Sequence, residues 1–269
     1  MPTESEGRAD REGVRREAVR IHEAAADGFA RQYRDAGPSA YASAFGYGRK
    51  KIQEVLDGVL AAAPRGGLAL DAGCGTGQQL AALARAGFRA VGVEPAAQMR
   101  RLARINCPGA QLLGASIFDL PFADASFDLV ICIEVLRYFL PEDVQSACRE
   151  LRRVLKPGGT LLATLVNRYA ADGFPAYDRL ARLLAALAGR RRTHCTLTTP
   201  GEAQRGLVAA GFSSVETVGR LAGPLRALYR LDRRLGAAAA RRLEALDDRV
   251  SSWPWTKPLA GHLIAIARA

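Results

Sequence analysis

The sequence predicts an α/β fold in which a doubly wound, mainly parallel sheet carries helices on both faces. Three observations predict it. Apolar runs of strand length alternate with longer stretches of helical period between Leu68 and Val166. The first run, Leu68-Ala-Leu-Asp71, closes on a carboxylate and passes through Gly73, Gly75 and Gly77 before a helical pattern opens at Gln78. The second, Ala90-Val-Gly-Val-Glu94, also closes on an acid.

A buried strand, a glycine turn and a helix start together let backbone N–H groups lie close to a ligand. A dinucleotide site needs G-x-G-x-x-G. Counted from Gly73 or Gly75, its third glycine would fall on Gln78 or Leu80, so the spacing excludes it. Asp71-x-Gly73-x-Gly75-x-Gly77 instead resembles motif I of the class I methyltransferases that use S-adenosylmethionine (SAM). Leu120-Pro-Phe-Ala-Asp124-Ala-Ser-Phe-Asp128 is similar to that family's fourth-strand signature, and Leu151-Arg-Arg-Val-Leu-Lys156-Pro-Gly-Gly159 to its helix–turn–fifth-strand signature. Within the family the broad group that includes quinone-biosynthesis methyltransferases is the most similar.

The resemblance implies a Rossmann-like sheet of seven strands, the last antiparallel, with a helical N-terminal leader and helical cap insertions. Residues 1–64 are expected to form the leader or lid, and 65–269 the SAM-binding domain, with insertions at about 170–197 and 220–257. It also implies SAM as cofactor, S-adenosylhomocysteine as product, and Tyr33, Asp71, Gly73, Gly75, Gly77, Glu94, Met99, Ser116, Ile117 and Ile133 as cofactor-binding residues. Ser116 stands where the family usually places an acid for the adenine amino group. A serine hydroxyl can accept that bond, more weakly.

In chain order, Met1 to about Arg11 reads as polar and disordered. Ala18, Ile21, Ala25 and Phe29 recur at helical spacing, Gly37-Pro38 interrupts, and a second helix runs through Ile52, Val55 and Leu56 to Pro64. Helices are expected over Gln78–Ala86, after Pro95, and from Pro141 with Val144, Cys148, Leu151 and Leu155 as its buried stripe. Ligands sit beyond the carboxyl ends of parallel strands. After the strand Phe127–Ile133 this places Glu134 and Tyr138 as candidate proton acceptors and Arg137 as an anchor for an anionic substrate group. Arg168 and Tyr169 follow the strand Thr160–Val166 and are substrate-binding candidates. His194 is the third catalytic candidate, while His22 and His262 are expected to be structural.

Tyr177–Arg192 reads as a helix with Leu180, Leu183, Leu184 and Leu187 on one side, and Arg179, Arg182 and Arg190–Arg192 elsewhere. Thr199-Pro-Gly-Glu202 is a capping box. A strand over 212–219 is followed by a stretch with Leu221, Leu225, Leu228, Leu231 and Leu235 apolar and Arg226, Arg230, Arg233 and Arg234 basic. Two leucine stripes flanked by arginine suit a lipid-like acceptor with anionic groups, or peripheral contact with an acidic membrane. The alternative is ordinary packing on the core with a solvated arginine face.

Composition bounds the rest. The chain has 269 residues, 49% hydrophobic and 24% charged, which reads as globular. No run approaches a membrane span, and the acidic start lacks the apolar core of a secretory signal, so the expectation is cytoplasmic. Cys74, Cys107, Cys132, Cys148 and Cys195 have no metal-ligand spacing and are expected to be reduced; no metal is expected. The net charge of +11 raises nucleic acid as a partner. Against it, the place after the fourth strand reads Ile133-Glu-Val-Leu136 rather than Asn/Asp-Pro-Pro-Tyr. The expected activity is therefore in-line methyl transfer to a small-molecule or lipid-like acceptor, helped mainly by positioning and a dry site. A nucleic-acid (RNA) methyltransferase and a non-catalytic SAM-binding protein are the alternatives. The oligomeric state is left open.

Overall fold

Strand β1 (Leu68–Ala72) lies inside the sheet, with β2 (Arg89–Val93) on one side and β4 (Phe127–Cys132) on the other, all parallel. A computed structural model describes residues 4–36, 39–64, 66–189, 194–221, 223–251 and 253–269. Outward from this centre come β3 (Gln111–Leu113) beyond β2 and β5 (Leu155–Asn167) beyond β4, again parallel. Then β8 (His262–Arg268) runs antiparallel between β5 and β7 (Ser214–Arg220). This is the expected α/β sheet with its antiparallel last strand.

One short strand was not expected. β6 (Leu197–Thr198) pairs in parallel with Val166 and Asn167 of β5. Val166 pairs with His262 on its other side, so β6 occupies the edge that β4 leaves after its last pair, Cys132 with Ala163. That vacated edge is where the chain after β4 turns out toward the ligand side.

Alternation along the strands builds two cores, because successive side chains face opposite ways. Ala69, Leu129 and Ile131 enter one with Ile52, Val55 and Leu56 of α2 (Ala44–Ala62) and Leu83 of α3 (Gln78–Arg85). Leu70, Ala72, Val130 and Cys132 enter the other with Ala147, Leu151 and Val154 of α5 (Pro141–Val154). Helix ends follow local chemistry. Ser43 caps α2 through Gly46, Pro141 with Glu142 and Asp143 opens α5, and the Thr199–Glu202 capping box opens α7 (Pro200–Ala209). All five cysteines are buried and free.

The leader departs from expectation. Helix α1 runs from Glu4 to Ala36, so residues 4–11 belong to the helix rather than being disordered, while residues 1–3 lie outside the described residues. Glu, Arg and Ala are good helix formers, and Glu12 pairs with Arg16 one turn on, which lets the helix extend backward without a core to hold it. Its inward face contains Ala18, His22, Ala26 and Ala30.

The insertions also differ in detail. Helix α6 (Phe174–Leu187) starts three residues early, because Gly173 is left-handed and Pro175 sits in the first turn. Leu180, Leu183, Leu184 and Leu187 remain more than half exposed. The expected triplet Arg190–Arg192 lies outside the described residues. The second basic stretch is not one helix. α8 (Leu225–Leu231) follows Pro224, and Asp232 ends it by capping α9 (Arg233–Ser251) through the Leu235 N–H at 2.7 Å. Among the described residues, no helix is long and apolar enough to cross a membrane.

Candidate functional site

The turns that leave β1, β2, β3 and β4 at their carboxyl ends converge on one cleft, roofed by α1, with about 1000 Å³ of empty space. Tyr33, Asp71, Gly73, Gly75, Glu94, Met99, Ser116, Ile117, Ile133, Glu134 and Tyr138 all line it. The structure therefore brings together nearly every cofactor candidate with two of the catalytic ones.

The first turn explains itself atom by atom. Gly73 and Cys74 both donate to the Val93 carbonyl, at 2.8 and 3.0 Å, which folds the turn back over β2. Gly73 has φ +83°, and a Cβ there would stand 2.5 Å from Val135 Cγ2, so no other residue fits. Gly77 does different work from that expected of it. It does not line the cleft; with φ +87° it starts α3 and faces Ala103 of α4 (Ala97–Asn106), whose Cα a Cβ would approach to 3.0 Å. The third glycine packs helix against helix.

Two carboxylates flank the turn. Glu94 accepts from Gly75 N at 3.0 Å and from Ala96 N at 2.9 Å, one bond on each oxygen, leaving a further lone pair on each. Burial raises its carboxyl above the usual range. Asp71 is buried and its Oδ2 has no partner. Burial, with Glu94 adding to it, pushes the Asp71 carboxyl up to about 7 against the opposing pull of Arg49. Ser116 Oγ accepts from Phe118 N at 3.3 Å and stands beside Ile117 on the far wall.

Glu134 closes the other end. Its φ is +61°, a left-handed backbone that a non-glycine residue adopts only when its surroundings hold it there. Thr164 Oγ1 accepts the Glu134 N–H at 2.6 Å, and Arg137 Nη1 donates to Oε2 at 2.9 Å. Burial would raise this carboxyl, but Arg137, His262 and Arg226 together hold it down at about 2. An acid of that strength accepts protons poorly at neutral pH. Burial pushes the Tyr138 phenol up to about 12, so it stays neutral.

Other candidates fall elsewhere. Arg137 turns into a neighbouring chamber shared with Glu134. Arg168 pairs with Glu202 at 2.9 Å and Tyr169 is exposed; neither reaches the cleft. His194 is also outside it, bonded through Nε2 to Thr196 Oγ1 at 2.8 Å.

Sequence reasoning missed several lining residues on α1 and α2 and beside Ile117, together with Thr76, Gln79, Pro95, Val135 and Phe139 on the turns around them and at the start of α3. His22 and His262, expected to be structural, each line a cavity. His22 Nδ1 donates to the Ala18 carbonyl at 2.7 Å, which leaves Nε2 with the lone pair when the ring is neutral; the ring stacks on Phe29 and meets Tyr138 edge-on. Arg15 lies 3.7 Å from the Phe118 ring centroid and forks onto Asp143 at 3.0 and 2.5 Å. Glu23 accepts from Gln98 N at the start of α4, so α1 is fastened at two places. The available signal was phase: Arg15, Ala18, His22, Ala26, Phe29 and Tyr33 repeat every three to four residues, sharing Ala18 and Phe29 with the expected stripe but passing through His22 and Ala26 instead of Ile21 and Ala25.

Comparison with known proteins gives the family and the fold. Residues 70–163 match the family described as a methyltransferase domain. A ubiquinone biosynthesis O-methyltransferase of Paracidovorax citrulli is 30% identical over 169 residues, covering 60% of this chain and 70% of that protein. The chain belongs to the class I SAM-dependent methyltransferases. An uncharacterized methyltransferase of Synechocystis is 39% identical over 99 residues, 37% of this chain and 47% of that one. The chain thus spans about half the length of that and similar curated relatives. A SAM-dependent methyltransferase from Thermotoga maritima shares the fold at TM-score 0.60 and 19% identity, covering 93% of this chain and 98% of its own.

The cleft of this class I methyltransferase fits SAM. The orphaned Asp71 oxygen offers an acceptor to a cationic ammonium, the free lone pairs of Glu94 offer acceptors to a diol, and Met99, Ile117 and Phe118 supply apolar wall for a base.

Proposed function

We propose that the protein transfers the methyl group of SAM to a small-molecule acceptor. The observation that carries this reading is the buried, unpartnered Oδ2 of Asp71 in one cleft with the doubly anchored Glu94 carboxylate and the Gly73 turn. In this reading Asp71 holds the ammonium of SAM, Arg49 beside Tyr33 its carboxylate, and Glu94 its ribose hydroxyls, while Ser116 Oγ and Ile117 border the adenine. Bound SAM supplies an electrophilic methyl carbon on its sulfonium. The chain's own part is to orient the two reactants and exclude water, with α1 as the lid. Where an acceptor must lose a proton, His22 Nε2 is better suited than Glu134, which Arg137 already holds as an anion. The ubiquinone-biosynthesis name of the Paracidovorax relative supports a small-molecule acceptor.

The test is incubation of the protein with methyl-labelled SAM and, in parallel, a small-molecule and lipid extract, RNA, or DNA. Label is expected in the extract. Label in nucleic acid overturns the acceptor class, and absence of both label and SAM binding overturns the reading as a whole.

Asp71 gives the donor site a pH signature. Its carboxyl titrates at about 7 in the free protein, and a cation binds only the ionised form well. Affinity for SAM is therefore expected to fall about tenfold for each pH unit below 7 and to level off above it. Calorimetry from pH 5.5 to 8 reads this directly, and Asp71→Asn should weaken binding and flatten the profile. A wild-type affinity independent of pH would remove Asp71 from the site.

A further inference from the structure

Beyond Glu134 lies a second chamber with about 980 Å³ of empty space, whose wall contains Arg49, Arg137, Arg226, Arg230, Arg233 and His262. Arg49 and Glu134 line both it and the donor cleft, so the two are neighbours across those residues. Five guanidinium groups share this lining; Arg49, Arg137 and Arg226 are half-buried and need anions, while Arg230 and Arg233 are exposed to water. Two find them within the protein. Arg137 pairs with Glu134 at 2.9 Å, and Arg226 Nε lies 2.7 Å from Asp172 Oδ2. Arg49 is set at the border with the donor cleft, 5.0 Å from the Tyr33 ring centroid. Arg230 and Arg233 have no carboxylate partner among the described residues; Arg230 rests 3.7 Å from the Tyr177 ring centroid.

His262 does not add to the charge. Its Nε2 accepts from Arg226 Nη2 at 3.1 Å, so the proton sits on Nδ1, which is buried, unpartnered and 3.7 Å from Glu134 Oε1. Burial, together with the facing Arg226 and Arg137, pushes the ring down to about 4 despite Glu134 and Asp172. The floor of the chamber is thus a balanced network and its rim an unbalanced pair of forks. Phe45, Ile52 and Tyr229 give the same space an apolar flank.

We propose that this chamber binds the methyl acceptor, and that the acceptor is a small organic oxyanion whose carboxylate or phosphate is clamped by Arg230 and Arg233 while its apolar body lies toward Glu134. The inference rests on the donor assignment of the adjoining cleft and narrows the acceptor to a chemical class. Guanidinium forks match the two oxygens of a carboxylate or phosphate, which fixes orientation as well as affinity. Charge and shape then work together. The anion is held at the rim and the carbon skeleton is directed inward to the side shared with the donor.

The experiment is calorimetric titration of the full-length protein, first with S-adenosylhomocysteine and then, in its presence, with inorganic phosphate, benzoate and neutral benzyl alcohol. Benzoate or phosphate is expected to bind at least about tenfold tighter than benzyl alcohol, the tighter of the two identifying the oxyanion. The double variant R230Q/R233Q, with both positions exposed, should keep its melting temperature and its affinity for S-adenosylhomocysteine but lose about tenfold or more in anion affinity. Equal binding of all three probes, or an undiminished anion affinity in the variant, overturns the proposal. Protein that takes S-adenosylhomocysteine but neither anion overturns it and leaves the donor reading standing. Failure to take S-adenosylhomocysteine overturns the donor reading instead.

Discussion

Glu94→Ala is expected to weaken binding of SAM and of S-adenosylhomocysteine by roughly a hundredfold. The carboxylate has two tasks at once. Its two oxygens already satisfy Gly75 N and Ala96 N, fixing the glycine turn against the end of β2, and their remaining lone pairs face the cleft. Hydrogen bonds to a charged acceptor are worth about 1.5–3 kcal/mol each, so loss of two ribose bonds removes about 3 kcal/mol or more, a factor near 150. Truncation also leaves two backbone donors without partners in a buried place, which loosens the turn itself. Glu94→Gln separates the two effects, since it keeps an acceptor for one donor and should fall between wild type and alanine. Calorimetry with S-adenosylhomocysteine measures the loss, and a melting curve shows whether the fold survives. An unchanged dissociation constant in Glu94→Ala would end the assignment of this cleft to a nucleoside.

The second large effect is on stability. Lys51 is fully buried on α2, and its Nζ meets Glu54 Oε2 at 3.0 Å, Glu244 Oε1 at 2.5 Å and Asp248 Oδ2 at 2.8 Å. The last two belong to α9, so this ammonium joins the leader to the C-terminal insertion. Its carboxylates come close enough together to resemble a cation site, and the Lys51 ammonium fills it, with Lys50 paired to Glu54 and Glu244 beside it. Removing one partner of a buried ion pair typically costs about 3–5 kcal/mol. Because the three carboxylates retain some contact with water, Lys51→Met is expected to cost about 2–3 kcal/mol. Urea denaturation monitored by circular dichroism gives the value. A difference below about 0.5 kcal/mol would mean that the Lys51 ammonium does not hold α9, leaving that to its apolar contacts and to the bonds of Tyr41 and Lys50 with Glu244.

What the sequence revealed and what it hid divide along chain distance. Asp71, Gly73, Gly75 and Glu94 were legible because one strand–turn–helix unit and the next strand supply them, and their chemistry is local in the chain. Gly77 was legible as a glycine but not as a packing residue, since Ala103 opposes it only after α4 folds back. His22, expected to be structural, lines the cleft because the helix face that meets it runs from Ala18 through His22 to Phe29, whereas the expected stripe passed between those ends through Ile21 and Ala25. The single amphipathic stretch drawn from Leu221 to Leu235 overlooked Asp232, a helix cap in the middle of a leucine pattern. Arg226, Arg230, Arg233 and His262 could not be joined to Glu134 from sequence at all. His262 meets it because β8 returns antiparallel beside β5, about a hundred residues later in the chain, and the three arginines share its chamber from α8 and α9.

This arrangement gives the two cavities different walls. The donor cleft is lined by α1, the turns after β1, β2 and β3 and the segment after β4, whereas α8, α9 and the last strand, with α2, furnish the wall on the far side of Glu134. Changes in the C-terminal segments would therefore reshape the chamber beyond Glu134 while leaving the Gly73 turn and the Glu94 bonds in place.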